Sequence, residues 1–379
     1  MKKKILMLAD WYAPGFRAGG PIRSCVNFTG YMQGDYDVYV LTTDRDLHAD
    51  SPYPGLPADR WIDTQNGEKL FYCSPGELTW KNIRRQIRSV APDFIYLNSM
   101  FSSKFTILPL LICRTYGVKA RLVLSPRGML RSSAVQFKSG KKKIFLKLFK
   151  WLGISGRIHF LASDTTEEKD VRHYFGPGAK VTVIANFPAP LPQRPPVAAK
   201  KNGELTMVCI GRVHPIKNTD FLLDVLADTR AEVRLTIVGS LEDQAFWEQC
   251  REKIRKLPAN IKVYYAGELP NDQLPGITLE HHIFVLPTRG ENFGHAIFEA
   301  LLLGKPVLIS DQTPWLGLAA RGAGWDLPLD RPDVFRQAIE DAALFDQGDY
   351  TRWSDNARRY AEEYLTGSNF KEDYIKLFS

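Results

Sequence analysis

Short apolar runs alternate with longer amphipathic stretches through the first half of the chain. Runs this short and rich in branched residues predict buried strands. The predicted strands are Lys4–Ala9, Asp37–Thr42, Lys69–Cys73, Phe94–Asn98, Arg121–Ser125, His159–Ala162 and Lys180–Ile184. Helices are predicted between several of them, for example at Trp80–Ser89 and Thr106–Tyr116. Strands and helices that alternate in this way indicate a parallel, doubly wound sheet.

A proline-rich stretch then interrupts the alternation, with five prolines between Asn186 and Pro196. It predicts an extended linker at 188–203, because proline cannot donate backbone hydrogen bonds to a helix or sheet. The alternation restarts after the linker. The strands predicted there are Leu205–Ile210, Arg234–Val238, Lys262–Tyr265, Ile283–Leu286 and Pro306–Ser310, with helices near Thr219–Ala227 and Gln244–Lys256. We therefore predict two α/β domains, at 1–187 and 204–355, whose strand ends face each other across a ligand-binding cleft.

Composition adds that the chain is of ordinary globular type, with 379 residues, 44% hydrophobic and 24% charged. The apolar run Ile5–Ala9, which follows three lysines, stops at Asp10, and this favours a first strand over a signal peptide. Five cysteines without metal or disulfide spacing fit a reducing cytoplasm. The charge is uneven, since residues 1–190 carry 28 Lys and Arg against 15 Asp and Glu. This asymmetry indicates an anionic partner for the first half, either a membrane surface or a polyanion.

The segment from Pro287 to Ala300 carries the most specific chemistry. A buried strand precedes it and an apolar helix follows, which places Glu291 at the carboxyl end of a strand, where open α/β sheets bind ligands. A helix that begins near Asn292 to Gly294 offers unpaired N–H groups to a phosphate. A carboxylate beside a phosphate site is useful when the ligand also carries hydroxyls. The segment therefore points to a nucleotide sugar.

The loop after Leu205–Ile210 supplies cations. Gly211 allows a sharp turn at the strand end, and Arg212 and Lys217 follow it. The guanidinium can bind phosphate oxygens in a fork, and the ammonium is a movable point charge. Together they could neutralise a diphosphate and the charge that grows on it as a leaving group.

Gly211-Arg212, Lys217-Asn218 and the later Glu291-x7-Glu299 pattern resemble the retaining glycosyltransferases of family 4, also called glycosyl transferases group 1. The loop from Tyr12 to Pro21 extends the resemblance to the first domain. The resemblance implies the GT-B fold, which consists of two doubly wound Rossmann-like domains facing each other across a cleft. It also implies that residues 356–379 form a helix that returns to the first domain.

The resemblance further implies roles for individual residues. Arg212 and Lys217 would hold the donor diphosphate, and Glu291 would bind hydroxyls of the transferred sugar. Glu299 would accept hydrogen bonds from the ribose. The backbone around Asn292, Phe293, Gly294 and His295 would face the phosphates, and Gly19 and Gly20 would let the opposing backbone approach them.

Several positions leave alternatives open. Arg212 and Lys217 could be solvated cations of a surface loop, and Glu299 could be a solvated helix residue. His295 could donate to phosphate or sugar, or it could simply close the first helical turn. The family often carries a histidine after the fifth strand of the first domain, whereas this chain has Arg127 there. We expect Arg127 to bind a phosphate or an anionic acceptor, with a structural loop arginine as the alternative.

The segment Lys138–Leu152 interleaves six lysines with large apolar residues. We expect it to contact anionic lipid, and the alternative is a domain helix with solvated lysines. Asp44 and Asp46 resemble a metal motif but follow the second strand, away from the diphosphate loops. We therefore expect no metal and no cofactor beyond the donor substrate.

The motifs and the resemblance together predict a hexosyltransferase that moves a sugar from a nucleotide diphosphate sugar to a lipid-linked or glycan acceptor, and the resemblance implies that it retains the anomeric configuration. It would assemble surface polysaccharide or lipopolysaccharide in the cytoplasm, as a peripheral protein at the inner face of the membrane. One alternative is a nucleotide-sugar epimerase of the same fold, similar to the UDP-GlcNAc 2-epimerases. A basic nucleic-acid-binding protein is a further alternative, although the sequence has no recognised nucleic-acid motif.

Overall fold

The computed structural model describes residues 2–131, 146, 149, 153 and 155–379. The chain divides into two compact units. The first contains Met1–Phe187 together with Asn369–Ser379, and the second contains Pro188–Ser368. Each unit has its own parallel sheet and its own buried apolar core.

The described part of the first unit holds an eight-stranded sheet with the order β3-β4-β2-β1-β5-β6-β7-β8. Neighbouring strands pair in parallel, apart from the antiparallel pair β3 and β4. The strand order reverses between β1 and β5, which are hydrogen-bonded to each other in the centre of the sheet. Its strands are β1 Lys4–Leu8, β2 Asp37–Thr43, β3 Trp61–Asp63, β4 Lys69–Cys73, β5 Phe94–Leu97, β6 Arg121–Leu124, β7 Ile158–Ala162 and β8 Lys180–Val183.

The second unit holds a six-stranded parallel sheet with the order β11-β10-β9-β12-β13-β14. This is the order of a dinucleotide-binding Rossmann sheet, with the reversal between β9 and β12. Its strands are β9 Glu204–Ile210, β10 Glu232–Val238, β11 Ile261–Gly267, β12 Ile283–Leu286, β13 Val307–Ser310 and β14 Gly324–Leu327.

Helices cover these sheets, and several of them begin at a side-chain cap. The Thr79 side chain accepts from Asn82 N–H, and Asp164 and Asp243 cap two other helices in the same way. In the described residues the helices are α1 Gly20–Met32, α2 Trp80–Val90, α3 Leu108–Thr115, α4 Thr165–Phe175, α5 Thr219–Ala227, α6 Gln244–Arg255, α7 Leu274–Leu279, α8 His295–Leu302, α9 Pro332–Leu344, α10 Gln347–Thr366 and α11 Phe370–Leu377.

The predicted α/β class with two doubly wound domains is confirmed, and each predicted strand is present within a few residues of its expected bounds. Two strands were missed. β3 is only three residues long, and β14 begins at Gly324 and contains Asp326, which are both poor strand formers. Both lie at a sheet edge, where fewer apolar residues are needed.

The final residues of the chain belong to the first unit. Phe378 packs against Phe94 and Tyr96 with ring centroids 5.3 and 5.6 Å apart. Tyr374 stacks on Phe187 at 4.2 Å, and the Tyr36 hydroxyl donates to the Phe378 carbonyl. Residues 356–368 lie in the second unit as part of α10 and the turn after it, so the chain changes unit at Asn369.

The proline-rich stretch has no helix or strand between 188 and 201, and it belongs to the second unit. Side chains hold it against α10. Arg358 donates to the Pro192 carbonyl at 2.9 Å, and Arg194 pairs with Asp355. Lys200 is buried and donates to the carbonyl of Ala343. These bonds fix its course along the second unit.

All five cysteines are buried free thiols. Within the described part of the chain, we find no helix with both the length and the apolar character needed to cross a bilayer. The segment Lys138–Leu152, for which lipid contact was predicted, lies outside the described residues except at Leu146 and Phe149, whose side chains are buried.

His282 lies at the amino end of β12 and is 8% exposed. Its Nδ1 accepts from the Thr206 backbone N–H at 3.0 Å, and its Nε2 donates to the Ala199 carbonyl at 2.9 Å. These two bonds require the neutral ring, because a protonated Nδ1 would face an N–H. Burial, opposed by the bond to Ala199, lowers the pKa of His282 to about 4.

The His282 pKa makes the stability of the second unit sensitive to acid. Below about pH 6.5 His282 binds a proton in the unfolded chain, whereas in the folded protein it does so only near pH 4. The free energy of unfolding therefore falls as pH drops through this window. The full effect is about 3 kcal/mol at 1.36 kcal/mol for each pKa unit. We expect His282→Asn to be less stable than wild type at pH 7, and the difference to shrink towards pH 4. Urea unfolding between pH 7 and 4.5 measures this, and a difference independent of pH would contradict it.

Candidate functional site

The candidate site of the second unit lies where its sheet reverses direction. Strands β9 and β12 are parallel neighbours, with Met207 opposite Ile283 and Val208 opposite Phe284. Their carboxyl ends therefore meet at one edge, and both predicted loops leave the sheet there. The loop after β9 carries Arg212 and Lys217, and the loop after β12 carries Glu291.

Two glycines allow the loops at this edge to approach closely. Gly211 N–H donates to the Val238 carbonyl at 2.9 Å. Gly239 follows β10 with φ of 144°, and a Cβ atom there would lie 2.1 Å from the Gly211 carbonyl oxygen. Only glycine fits such a contact. The approach sets the direction in which the chain leaves β9, towards Arg212.

The turn that carries Lys217 is bonded directly to the loop after β12. Pro215–Lys217 form one turn of 3-10 helix, and the His214 Nδ1 accepts from Ile216 N–H. The Ile216 carbonyl accepts from Arg289 N–H at 2.8 Å and from the Thr288 hydroxyl at 3.0 Å. Arg289 Nε also donates to the Asn218 side chain at 3.0 Å. The two loops therefore form one hydrogen-bonded structure.

The charged side chains at this edge are arranged in two ion pairs. Lys217 pairs with Glu291, and their side chains are 17% and 14% exposed. Arg212 pairs with Glu242 on the loop after β10, and this second pair is more open to solvent. The Glu291 N–H donates to the Gln312 carbonyl at 3.1 Å, which ties its loop to the residues after β13. The structure thus brings together Lys217 and Glu291, which were both predicted as site residues.

Helix α8 begins directly after this loop. Gly294 is its N-cap, with φ of 74°, and a Cβ atom there would crowd Ile297 and the Trp315 ring. Phe293 is buried beside Trp315, whose Nε1 donates to the Phe293 carbonyl. The N–H groups of the first turn have no acceptor within a helix and carry the positive end of its dipole.

The remaining predicted residues of this unit are distributed along α8 and its entry. Asn292 is half-buried in the turn before the helix, His295 is buried in the first turn, and Glu299 is half-buried one turn further on. His295 and Glu299 are four residues apart and therefore share a helix face. The Phe293 side chain packs against Trp315 and Phe298, so it stabilises the helix start.

In the first unit, the loop after β1 leads into α1. Gly19 is the N-cap of α1 and Gly20 its first residue. Asp46 shapes this loop, because its Oδ2 accepts from the N–H groups of Phe16 and Arg17 at 2.8 and 3.1 Å. Its Oδ1 accepts from Leu47 N–H at 2.7 Å. Asp46 therefore stabilises the loop before α1, a role that its resemblance to a metal motif in the sequence did not indicate.

Arg127 lies after β6 with φ of 56° and is surrounded by neutral acceptors. Its guanidinium donates to the Asn98 side chain at 2.6 Å, to the Tyr96 hydroxyl at 3.0 Å, and to Asn186. Arg127 Nε and Asn98 Nδ2 are buried without a hydrogen-bond acceptor in the described part of the chain. The arginine is thus held in place by the fold, and none of its hydrogen bonds to described residues goes to a carboxylate.

Sequence reasoning missed several residues that shape these sites. Gly239 and Glu242 follow β10. The available sequence signal was that Gly239 directly follows a predicted strand, as Gly211 does after β9. Asn98 and Asn186 follow β5 and β8, and their role depends on contacts across 29 and 59 residues of sequence.

Residues 193–360 match the protein family described as Glycosyl transferases group 1. The chain carries a glycosyl transferases group 1 domain. A stretch of 112 residues is 31% identical to mannosylfructose-phosphate synthase of Agrobacterium fabrum, covering 27% of this chain and 25% of that protein. A longer stretch is 23% identical to the D-rhamnosyltransferase WbpZ of Pseudomonas aeruginosa, covering 66% of this chain and 65% of the relative. The chain therefore spans less than two thirds of the length of either relative.

Solved structures show the same fold over the whole chain. Anabaena HepE in complex with UDP and glucose has a TM-score of 0.69 and 15% identity, covering 99% of each chain. WaaG, a glycosyltransferase involved in lipopolysaccharide biosynthesis, has a TM-score of 0.62 and 14% identity, covering 99% of this chain and 98% of WaaG. The chain has the GT-B fold, as its sequence resemblance implied.

The close contact between Gly239 and Gly211 predicts that one added methyl group at Gly239 lowers the stability of the second unit. Gly239→Ala would place a Cβ atom against the Gly211 carbonyl and force β9 and β10 apart. We expect the free energy of unfolding of the second unit to fall by about 3 kcal/mol or more. The matched control is Gly276→Ala in α7, where a Cβ atom meets nothing within 4 Å. That variant should be neutral or slightly stabilised in urea unfolding, and equal loss in both would contradict the argument.

Asp46 should control the order of the loop before α1. Asp46→Ala removes the acceptor of three backbone N–H groups, so we expect faster amide exchange in a peptide spanning 12–20. Hydrogen exchange followed by mass spectrometry measures this, and Asp46→Asn should give an intermediate rate. Asp50→Ala, at an exposed carboxylate four residues away, is the control. Unchanged exchange in Asp46→Ala would show that the loop keeps its shape without the carboxylate.

Proposed function

We propose that this chain is a retaining glycosyltransferase of family 4. It transfers a hexose from a nucleotide diphosphate sugar to a lipid-linked or glycan acceptor in surface polysaccharide or lipopolysaccharide assembly. The observation that carries the proposal is the pairing of Lys217 with Glu291 where β9 and β12 end, with Arg212 on the same loop. A cation pair for the diphosphate and a carboxylate for the sugar thus lie on neighbouring strand ends.

The donor would lie across the carboxyl edge of the second sheet. Its diphosphate meets Arg212, Lys217 and the first-turn N–H groups of α8. Glu291 accepts hydrogen bonds from sugar hydroxyls, and Glu299 accepts from the ribose. A nucleotide diphosphate sugar as donor is supported by HepE, which has been solved with UDP and glucose in the same fold.

The two ion pairs bear on how the donor binds. Arg212 is held by Glu242 and Lys217 by Glu291, so both cations have a carboxylate partner before any phosphate is present. A diphosphate carries more charge than either carboxylate and can accept several hydrogen bonds from each cation. Donor binding would therefore turn Arg212 away from Glu242, while Lys217 bridges Glu291 and the phosphate.

Chemistry at this site would depend on stabilising the leaving group. As the bond between the anomeric carbon and the phosphate oxygen breaks, negative charge grows on the diphosphate, and Arg212 and Lys217 stabilise it. The Glu291 carboxylate is paired with Lys217 and is assigned to the sugar hydroxyls, so we do not propose it as a nucleophile. We therefore propose attack by the acceptor hydroxyl on the face that the diphosphate leaves, with a phosphate oxygen taking the proton. This route retains the anomeric configuration and requires no metal or further cofactor.

The acceptor and location are proposed from the relatives and from charge. WaaG is involved in lipopolysaccharide biosynthesis and WbpZ is a D-rhamnosyltransferase, so we propose a related role in surface polysaccharide assembly. The excess of Lys and Arg in residues 1–190 suits an anionic membrane surface on the cytoplasmic side. Arg127 would bind a phosphate of the donor or an anionic acceptor, since its hydrogen bonds to the described residues are made to neutral groups.

Removing either cation should abolish transfer. We expect Lys217→Ala and Arg212→Ala each to lower kcat by about 100-fold or more. Each variant removes a cation whose attraction to the diphosphate is stronger in the transition state than in the bound substrate. The donor is first identified by a thermal-shift screen of nucleotide sugars, and turnover is then measured with acceptor present. Lys262→Ala, at an exposed cation on β11, is the control and should keep its activity. Unchanged turnover in both site variants would refute the assignment.

The same assay separates the alternatives. A transferase releases nucleotide diphosphate only when acceptor is added, whereas an epimerase changes the sugar nucleotide without acceptor. Proton NMR of the product then reports whether the anomeric configuration is retained. Salt-sensitive binding to DNA, without binding to any nucleotide sugar, would favour the nucleic-acid-binding alternative.

A further inference from the structure

Glu242 lies on the loop after β10, at a position that the backbone holds against the loop after β9. Val213 N–H donates to the Ser240 carbonyl at 2.7 Å, and Val213 forms an isolated parallel bridge with Leu241. Asp243, the next residue along the chain, is the N-cap of α6 and accepts a backbone N–H of its first turn. Glu242 therefore stands between a backbone bridge and a helix cap, which together fix where its side chain begins.

This position brings the Glu242 carboxylate to the Arg212 guanidinium. The two side chains are 30% and 37% exposed, and an ion pair this open to solvent contributes little to stability. The other carboxylate of the site, Glu291, pairs with Lys217 and is assigned to the sugar hydroxyls. Glu242 instead occupies a cation that the diphosphate needs. Its charge therefore bears on how strongly the site holds phosphate.

The charge of the ligand increases when the sugar is transferred. A nucleotide diphosphate sugar carries one negative charge on each phosphate. In the nucleoside diphosphate that remains, the terminal phosphate has a further ionisation near pH 6, so at neutral pH the product carries most of a third charge. Arg212 and Lys217 therefore attract the product more strongly than the donor. A site that held only these cations would release its product slowly.

We propose that Glu242 promotes release of the nucleoside diphosphate product by competing with it for Arg212. The carboxylate pairs with the guanidinium before the donor binds, gives way to the diphosphate, and pairs with it again as the product leaves. Glu242 also repels each ligand in proportion to the charge of that ligand, so it weakens binding of the product more than binding of the donor. This inference rests on the proposed function and gives Glu242 a part in the turnover of the same site.

The test is binding of inorganic pyrophosphate to the full chain, measured by isothermal titration calorimetry. Pyrophosphate carries both phosphates and requires no knowledge of the base. We expect Glu242→Gln to bind it about 5-fold tighter or more than wild type, because the amide keeps the size of the side chain and loses its charge. In an Arg212→Gln background the same substitution should have a smaller effect, because the cation for which Glu242 competes is absent.

Three results of this titration would overturn the proposal. Weaker binding by Glu242→Gln would mean that the carboxylate positions Arg212 for phosphate instead of competing with it. An equal gain in both backgrounds would mean that Glu242 does not act through Arg212. Absence of pyrophosphate binding in wild type and in Glu242→Gln alike would mean that the site does not hold a diphosphate.

The matched control is Glu252→Gln on α6 of the second unit. It removes the same charge from an exposed glutamate that also pairs with an arginine, Arg255. This control should bind pyrophosphate as wild type does, which separates the position of Glu242 from the net charge of the unit. Equal tightening in Glu242→Gln and Glu252→Gln would contradict the proposal.

Nucleotide ligands distinguish failure of this inference from failure of the proposed function. UDP, GDP and ADP are titrated beside their glucose conjugates. We expect Glu242→Gln to gain more affinity for the nucleoside diphosphate than for the matching nucleotide sugar, and equal gains would refute the role in product release. Pyrophosphate binding with the expected difference, but no binding of any nucleotide sugar, would support competition by Glu242 and refute the proposed donor.

Discussion

The candidate donor site of the second unit depends on the ion pair between Lys217 and Glu291, which joins the loops after two neighbouring strands. The two side chains are half-buried, so their close contact compensates for the hydration that each charge has lost. The contact is geometrically available because Gly211 and Gly239 let the chain leave β9 at a sharp angle. The bonds of Thr288 and Arg289 to the Ile216 carbonyl then hold both loops together.

The sheets could be predicted from the sequence because their central strands are covered on both faces. Such strands must be apolar at consecutive positions, as Ile283–Leu286 is, and this leaves a signal that needs no knowledge of the partners. The edge strands β3 and β14 lack that signal, since an edge position tolerates Trp61–Asp63 and Gly324–Leu327. The C-terminal segment could not be assigned by pattern at all. Its attachment depends on Tyr374 and Phe378 meeting aromatic rings that are distant in sequence.

The site was predictable to the extent that strand topology determines it. Arg212, Lys217 and Glu291 each follow a strand, and parallel neighbours bring such residues to one edge. Their partners were not predictable. Which carboxylate Arg212 meets depends on the course of the loop after β10, and the acceptors around Arg127 come from the ends of β5 and β8. Side-chain pairing within a loop therefore needs the structure even where the motif is recognisable.

The two ends of β12 carry polar groups with opposite requirements. At the amino end, His282 is buried and neutral, and Lys305 donates to the carbonyls of Leu279 and His281 while burial lowers its pKa to about 8. These groups are satisfied by backbone partners and leave no capacity for a ligand. At the carboxyl end, Lys217 and Glu291 are paired through side chains that can exchange partners. The apolar strand Ile283–Leu286 lies between the two sets of groups, so protonation of His282 acts on stability at the end of β12 that is remote from Lys217 and Glu291.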